Sequence, residues 1–396
     1  MKKFKVIGGN CPRRKVDAQT IQNYFLANDY ICTDNTSAAD YIIIFTCGGF
    51  DSSELMSLNT IKVVYKQRKK NALMIVTGCL LLINYKCIPM HDNMIHVNYE
   101  EFSKVDLIIS ASKKFSTIPV AGVIGTIPDL HEKITPKTFL KYLPVSKIRA
   151  ENLLIALRAF KKNIIGAPSS PFSNKGIYNV LIARGCLGDC SYCAIRLAHG
   201  RVKSKPMEEV LNSFRNGLNE GYKKFVFIAE DSGAYGVDQG YTFPELLKNV
   251  FELSSEFKLI LNDINPRWLI KYFNQLLPLL EKYQDRIIDI RLPIQSGSND
   301  ILKKMRRHYD IEKVQECFDE LHKILPNLEV RTHVIVGFPG ETDDDFLKTV
   351  NFLKKNMLAG TMVYRYEDRF CCDSFKLPGK VSKKKINQRR NMLKRI

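Results

Sequence analysis

Gly185-Cys186-Leu187-Gly188-Asp189-Cys190-Ser191-Tyr192-Cys193 follows directly on the apolar run 178–183, so three thiols leave the end of one predicted strand in a C-x3-C-x2-C loop. Thiolates at this spacing can hold three irons of a cubane cluster, and with no fourth cysteine close behind, one iron stays open for a substrate or cofactor. The same loop can be read as a zinc site, because His199 stands six residues beyond Cys193 and three Cys with one His suit a closed tetrahedral ion. A disulfide fits less well. The loop by itself leaves the cluster and zinc readings open, and the residues around it decide between them.

Strand and helix patterns alternate from this run onward. Strands are predicted over 178–183, 224–229, 258–261, 287–293, 328–336 and 362–366, and helices over 206–220, 243–253, 267–280, 311–325 and 343–358, with a last one after Ser382. Near-continuous apolar strands separated by amphipathic helices call for a parallel sheet curled toward a barrel, with function at the strand carboxyl ends. The polar and glycine-rich segments sit at those ends. Glu230-Asp231-Ser232-Gly233 follows the second strand, Gln295-Ser296-Gly297-Ser298 the fourth, and Gly337-Phe338-Pro339-Gly340-Glu341-Thr342 the fifth.

Upstream, the apolar runs 4–7, 41–45 and 73–77 alternate with helical spacing over 16–27 and 52–68, a βαβαβ pattern that again implies a parallel sheet. Each run ends near a cysteine: Cys11, Cys47 and Cys79. Sites form at the carboxyl ends of such strands, so three cysteines from distant loops should converge. A second cluster explains that convergence, while burial as three small hydrophobes is the plainer alternative. Cys32, Cys87, Cys317 and the adjacent Cys371-Cys372 have no comparable setting and read as structural. Residues 106–123 look strand-like and are expected to close the first domain. The expected organisation is 1–125, a basic linker over 126–175 with a helix at 148–160, a core domain over 176–370, and a basic C-terminal helix within 371–396.

The 396 residues are 45% hydrophobic and 26% charged, the balance of a globular protein with cores large enough to need no staples. Eleven cysteines in a chain whose start has no secretory pattern fit metal or cluster ligation in the cytoplasm better than a disulfide framework. No run of about 18 apolar residues calls for a membrane span. The net charge of +19 favours an anionic partner such as nucleic acid, although dispersed lysines also make an ordinary solvated face. The tail is more than dispersed, with Lys383, Lys384, Lys385, Arg389, Arg390, Lys394 and Arg395 and no acid after Asp373.

Cys11, Cys47 and Cys79, followed by Cys186, Cys190 and Cys193, resemble the six-cysteine order of the radical S-adenosylmethionine (SAM) methylthiotransferases, enzymes that convert C–H to C–S–CH3. The likeness spans roughly residues 4 to 380 and sets the zinc reading aside. It implies an α/β protein, with an N-terminal flavodoxin-like parallel-sheet domain followed by a radical SAM partial (β/α)6 barrel. It implies two [4Fe-4S] clusters as well. The one on Cys11, Cys47 and Cys79 is auxiliary and carries the sulfur to be transferred; the one on Cys186, Cys190 and Cys193 binds SAM and generates a 5′-deoxyadenosyl radical. It assigns SAM contacts to Tyr192, Glu230, Asp231, Ser232, Gly233, Gln295, Ser296, Gly297, Ser298 and Gly337, and an electron donor such as flavodoxin or ferredoxin.

Two local departures stand out. The family usually has Gly before its first cysteine and Asn three residues after it, where this chain has Asn10 and Arg14. The segment 197–206 and Glu230-Asp231-Ser232-Gly233-Ala234-Tyr235-Gly236 look most like the branch acting on threonylcarbamoyladenosine in tRNA, but His199 replaces an Arg of that branch. Members normally continue into a small β-barrel, the TRAM domain, which is expected to be missing here, and 365–372 differs from the usual cavity loop. A tRNA adenosine is therefore the first substrate expected, a peptide or protein side chain the alternative, and a non-catalytic RNA-binding iron–sulfur protein the third reading.

Overall fold

The chain divides into two compact units, Met1–Lys175 and Gly176–Ile396. The computed structural model describes residues 1–9, 11–125, 176–356 and 358–395. The connector expected over 126–175, with its helix at 148–160, lies outside the described residues.

In the first unit β1 (Lys3–Ile7), β2 (Ile31–Cys32), β3 (Tyr41–Thr46), β4 (Leu73–Gly78) and β5 (Met94–His96) form one parallel sheet in the order β2-β1-β3-β4-β5. This is the flavodoxin-like order. Helices α1 (Pro12–Ala27), α2 (Asp51–Gln67) and the single turn α3 (Leu80–Ile83) each follow a strand. Side-chain alternation sorts the strands between two cores. Phe4, Val6, Tyr41, Ile43 and Phe45 pack with Ile21 and Phe25 of α1, while Ile42 and Ile44 pack with Ile61 and Val64 of α2. With both faces covered, β3 has no need of a polar break, which is why Tyr41-Ile42-Ile43-Ile44-Phe45 reads as continuous apolar sequence.

Residues 106–123 are not the closing strand expected of them. Val105–Ile109 forms a short helix, α4, stopped by Ser110 at φ 52°, and the closing strand is the three-residue β5. Val105 and Ile109, four apart, enter the core, whereas Leu107 is 89% exposed. The Tyr24 hydroxyl donates to Asp106 at 2.6 Å and so fixes the turn to α1. A short apolar run satisfies helical and strand spacing alike, and here tertiary contacts select the helix.

The second unit opens with β6 (Tyr178–Leu181), followed by β7 (Ala183–Arg184), α5 (Ile195–His199) and β8 (Lys203–Ser204). The predicted strand over 178–183 thus breaks at Ile182. Beyond it Ala183 and Arg184 pair antiparallel with Ser204 and Lys203, and this clasp closes the cysteine loop at its base. Then α6 (Met207–Asn219), β9 (Lys224–Ile228), α7 (Phe243–Leu253), β10 (Lys258–Leu261), α8 (Pro266–Lys282) and β11 (Ile287–Arg291) follow in turn. The unit ends with α9 (Asn299–Met305), α10 (Ile311–Ile324), β12 (Val330–Val336), α11 (Asp343–Asn356), β13 (Gly360–Arg365) and α12 (Lys383–Leu393). Six strands make one parallel sheet in the order β13-β12-β11-β10-β9-β6, the partial (β/α)6 arrangement. Helix starts are written into the sequence: Thr242 and Glu245 form a capping box, and Asn265 caps α8 with Pro266 behind it.

The basic helix α12 turns part of its charge inward. Arg389 is buried, with Nη1 donating to Glu341 at 2.6 Å and Nη2 to Asp343 at 2.8 Å, while Lys385 reaches Asp343 at 2.7 Å. These two cations hold the helix against the turn after β12, while Lys383 and Lys384 at its start and Lys394 and Arg395 just beyond its end are exposed. Among the described residues no helix is long and apolar enough to cross a membrane.

Candidate functional site

The loop of Cys186, Cys190 and Cys193 is shaped by its own backbone. Gly185 has φ 78°, and a Cβ there would lie 2.1 Å from the Arg201 carbonyl oxygen, so glycine is required where the chain turns into the loop. The Cys186 N–H donates to Gly200 O at 3.1 Å, and the Cys193 N–H to Cys190 O at 3.1 Å. A Cβ on Gly188 would sit 3.3 Å from Cys186 Sγ and 3.6 Å from Cys190 Sγ, so those two sulfurs flank a position free of side chain. Burial, with the Asp231 carboxylate adding to it, pushes the Cys186 thiol up to about 12, and burial raises Cys193 too. Thiols this reluctant to ionise become thiolates when metal displaces their protons.

Each later motif reaches this loop. Glu230 accepts from the Gly185 N–H at 2.8 Å, and its other oxygen lies 3.5 Å from His199 Nδ1. Arg307 bridges Cys190 and the Pro293 turn, with Nη1 3.6 Å from Cys190 Sγ and Nη2 donating to Pro293 O at 2.7 Å. Tyr192 meets Phe338 edge to face at 6.3 Å, within a cluster built on Ile301, Met305 and Phe338. Three segments far apart in sequence therefore come together on the cysteines.

The residues read from sequence as SAM contacts divide into two groups. Gln295 stands at φ 64° with its side-chain Oε1 buried and, among the described residues, without a hydrogen-bond partner, and the buried Ser232 hydroxyl likewise has none there. A polar ligand would satisfy both, since a buried unpaired polar atom is costly. The others are engaged within the protein. Asp231 accepts from Trp268 Nε1 at 2.7 Å and from the Asn265 N–H at 3.1 Å, and Trp268 packs where a Cβ of Gly233 would be. Ser298 donates to Asp345 at 2.6 Å, Ser296 Oγ accepts from the Ser298 N–H at 3.2 Å, and the Gly297 N–H donates to Thr349 at 2.9 Å, which seats the Ser296–Ser298 turn on α11. Gly337 donates its N–H to Glu341 and lets Ile386 of α12 approach, a Cβ there being 2.2 Å from Ile386 Cγ1.

The first unit carries the second trio on adjacent strands. Cys11 follows β1 and caps α1, Cys47 follows β3 with its N–H donating to Ser57 at 2.8 Å, and Cys79 follows β4 with its N–H donating to Thr46 O at 3.0 Å. Gly78, at φ 103°, would place a Cβ 2.3 Å from that same Thr46 oxygen, so this cysteine too enters on an obligatory glycine. Arg14 is buried, with Nε 3.3 Å from Cys79 Sγ and Nη1 2.5 Å from Asp17. Burial pushes the Cys79 thiol up to about 11; Arg14 opposes that rise, and the charges of Cys11 and Cys47 add to it. The three thiols thus share one electrostatic environment.

Among the described residues no disulfide joins any of the eleven cysteines. Among the described residues no three His, Cys, Asp or Glu side chains gather around a single-ion position. A tetrahedral zinc needs its donors at about 2.0–2.3 Å from one point. In a cubane cluster each thiolate instead takes a different iron. Sequence reasoning missed Arg307, which sits in the charge run Lys303-Lys304-Met305-Arg306-Arg307-His308, and it noted Arg14 merely as a departure from a pattern. Cys372, which the sequence reads as structural, donates from Sγ to Tyr192 O at 3.3 Å, on the cysteine loop itself.

Residues 180–353 match the radical SAM superfamily and residues 3–97 match uncharacterized protein family UPF0004, so the fold and the cysteine loop define a radical SAM protein. The likeness to solved radical SAM structures is one of fold. TsrM, a radical SAM methyltransferase from Kitasatospora setae, superposes with a TM-score of 0.57 at 11% identity over 92% of this chain and 75% of that one. The cobalamin-dependent enzyme OxsB gives 0.54 at 12% identity over 100% of this chain and 56% of that one. Among curated relatives, the ribosomal protein uS12 methylthiotransferase RimO of Protochlamydia amoebophila is 28% identical over 100% of this chain and 76% of its own length. A probable threonylcarbamoyladenosine tRNA methylthiotransferase of Pyrococcus abyssi is 28% identical over 100% and 84%. The tRNA-2-methylthio-N(6)-dimethylallyladenosine synthase of Clostridium botulinum is 27% identical over 98% and 80%.

The chain carries a radical SAM domain and a UPF0004 domain, and over nearly its whole length it is similar to proteins named methylthiotransferases. It is a SAM-dependent transferase whose cofactors are [4Fe-4S] clusters and SAM.

Proposed function

We propose that this methylthiotransferase modifies a tRNA adenosine, at the hypermodified position beside the anticodon. In this reading Cys186, Cys190 and Cys193 hold the cluster that binds SAM, and Cys11, Cys47 and Cys79 hold the auxiliary cluster. The observation that carries the assignment is the convergence of Glu230, Arg307 with Pro293, and Phe338 on one cysteine loop. Bound there, cluster and SAM would supply the radical that activates a substrate C–H bond, and the auxiliary cluster the sulfur that replaces the hydrogen.

The protein's own part is to bind and orient. Gln295 Oε1 and the Ser232 hydroxyl are buried acceptors suited to the hydroxyl and amino groups of SAM, and Glu230 places a carboxylate beside the cysteine loop for the amine. Tyr192 and Phe338 offer an apolar edge for adenine. Asp231, Gly233, Ser296, Gly297, Ser298 and Gly337 act by shaping the strand ends on which those groups stand. The reading places the enzyme in the cytoplasm, with a flavodoxin- or ferredoxin-type electron donor.

Two of the relatives above are named for tRNA substrates, and this favours tRNA. A relative named for a ribosomal protein supports the second reading, methylthiolation of a protein side chain. Mass spectrometry of tRNA nucleosides from cells with and without the gene separates the two. Loss of a 2-methylthio adenosine in the deletion is expected, and an unchanged nucleoside profile would turn the assignment toward protein.

A further inference from the structure

Arg14 breaks an ordinary rule. It occupies the third position of α1, behind Cys11, Pro12 and Arg13, in a first turn that contains no acid, so its charge opposes the helix dipole. It is also 7% exposed, and a buried cation is costly unless paired. Asp17, fully buried one turn further on, supplies the pairing through Nη1. That pair leaves Nε aimed elsewhere, at the sulfur of Cys79, 65 residues away in sequence and 3.3 Å away in space. A local rule broken beyond what a local pair accounts for points to a site. Here the gain is an anion that Nε can face. A cluster carried by three thiolates is such an anion, and its negative charge grows on reduction.

We propose that Arg14 is a positioning residue that sets the reduction potential of the auxiliary cluster, by donating a hydrogen bond from Nε to the Cys79 sulfur and holding a guanidinium charge beside the trio. The inference rests on the reading that Cys11, Cys47 and Cys79 hold a cluster. Hydrogen bonds to cluster sulfurs and local net charge are among the levers that fix iron–sulfur potentials. A fixed cation stabilises the more negative, reduced state and so moves the potential upward. Asp17 works against it, because its carboxylate cancels part of that charge while orienting the fork.

The test uses the full chain with Cys186, Cys190 and Cys193 replaced by Ala, reconstituted anaerobically with iron and sulfide so that a single cluster is titrated. Arg14→Gln is expected to move the midpoint to more negative potential by about 59 mV, a tenfold change in a one-electron equilibrium. Asp17→Asn, which keeps the guanidinium and removes its counter-charge, is expected to move it the other way. If the parent variant binds no iron, the cluster reading itself fails. If it loads normally and neither substitution moves the midpoint, the role given to Arg14 is wrong. Should Arg14→Gln not take up iron, Asp17→Asn decides alone: an upward shift supports the inference and an unchanged midpoint overturns it.

Discussion

The two cysteine trios are built in opposite ways. One lies within eight residues, Cys186 to Cys193, on a loop clasped at its base by β7 and β8. The other is spread from Cys11 to Cys79 and is brought together by the neighbouring order of β1, β3 and β4. A local site is specified by its own spacing, a dispersed one by topology. Both nonetheless use the same two devices, a positive-φ glycine directly before a cysteine and a buried arginine directed at a sulfur. The devices therefore answer to the thiols and not to the fold around them.

Iron counting tests the comparison most severely. Replacing Cys186, Cys190 and Cys193 with Ala should leave about four irons per chain, and replacing Cys11, Cys47 and Cys79 should do the same. Full iron in the second variant would end the parallel between the trios. Next in size are Gly78→Ala and Gly185→Ala, each expected to cost at least about 1–3 kcal/mol from backbone strain, with the close carbonyl oxygens adding to it. Thermal melts of the apoprotein check both, and a variant that melts like the parent would show its turn can relax. Arg307→Ala leaves the Pro293 carbonyl without its donor and should cost about 1–3 kcal/mol. An unchanged melting temperature would mean that water or a neighbour replaces it. The smallest effect belongs to His308, whose 2.7 Å contact with Asp189 is half exposed. His308→Ala should change stability by about 0–1 kcal/mol and leave iron content alone, so a loss of iron there would show that the exposed pair matters to the cysteine loop.

Most of the architecture was legible because its signals are periodic. The βαβ runs located all seven of the cysteine-bearing or motif-bearing strand ends, and the short spacing of Cys186, Cys190 and Cys193 announced itself. Elsewhere the sequence carried too little information. Val105 to Ile109 is too short for its period to separate helix from strand, and contact with Tyr24 decided the matter. Ser296 and Ser298 sit where ligand contacts are expected, yet a hydroxyl that binds a ligand and one that serves Asp345 and Thr349 look identical in a sequence. Arg14 and Arg307 were hidden by company, since in a chain with 60 Lys and Arg a single buried guanidinium has no distinguishing mark until its partner is seen.

Helix α12 has a practical consequence for anyone altering the protein. Ile386 fills the space over Gly337, and Arg389 completes the ion pairs of Glu341 and Asp343, so the helix forms part of the floor beneath the fifth strand's turn. A deletion made after β13 would strip that floor and strand two carboxylates, whereas a tag or fusion joined beyond Leu393 would leave it intact.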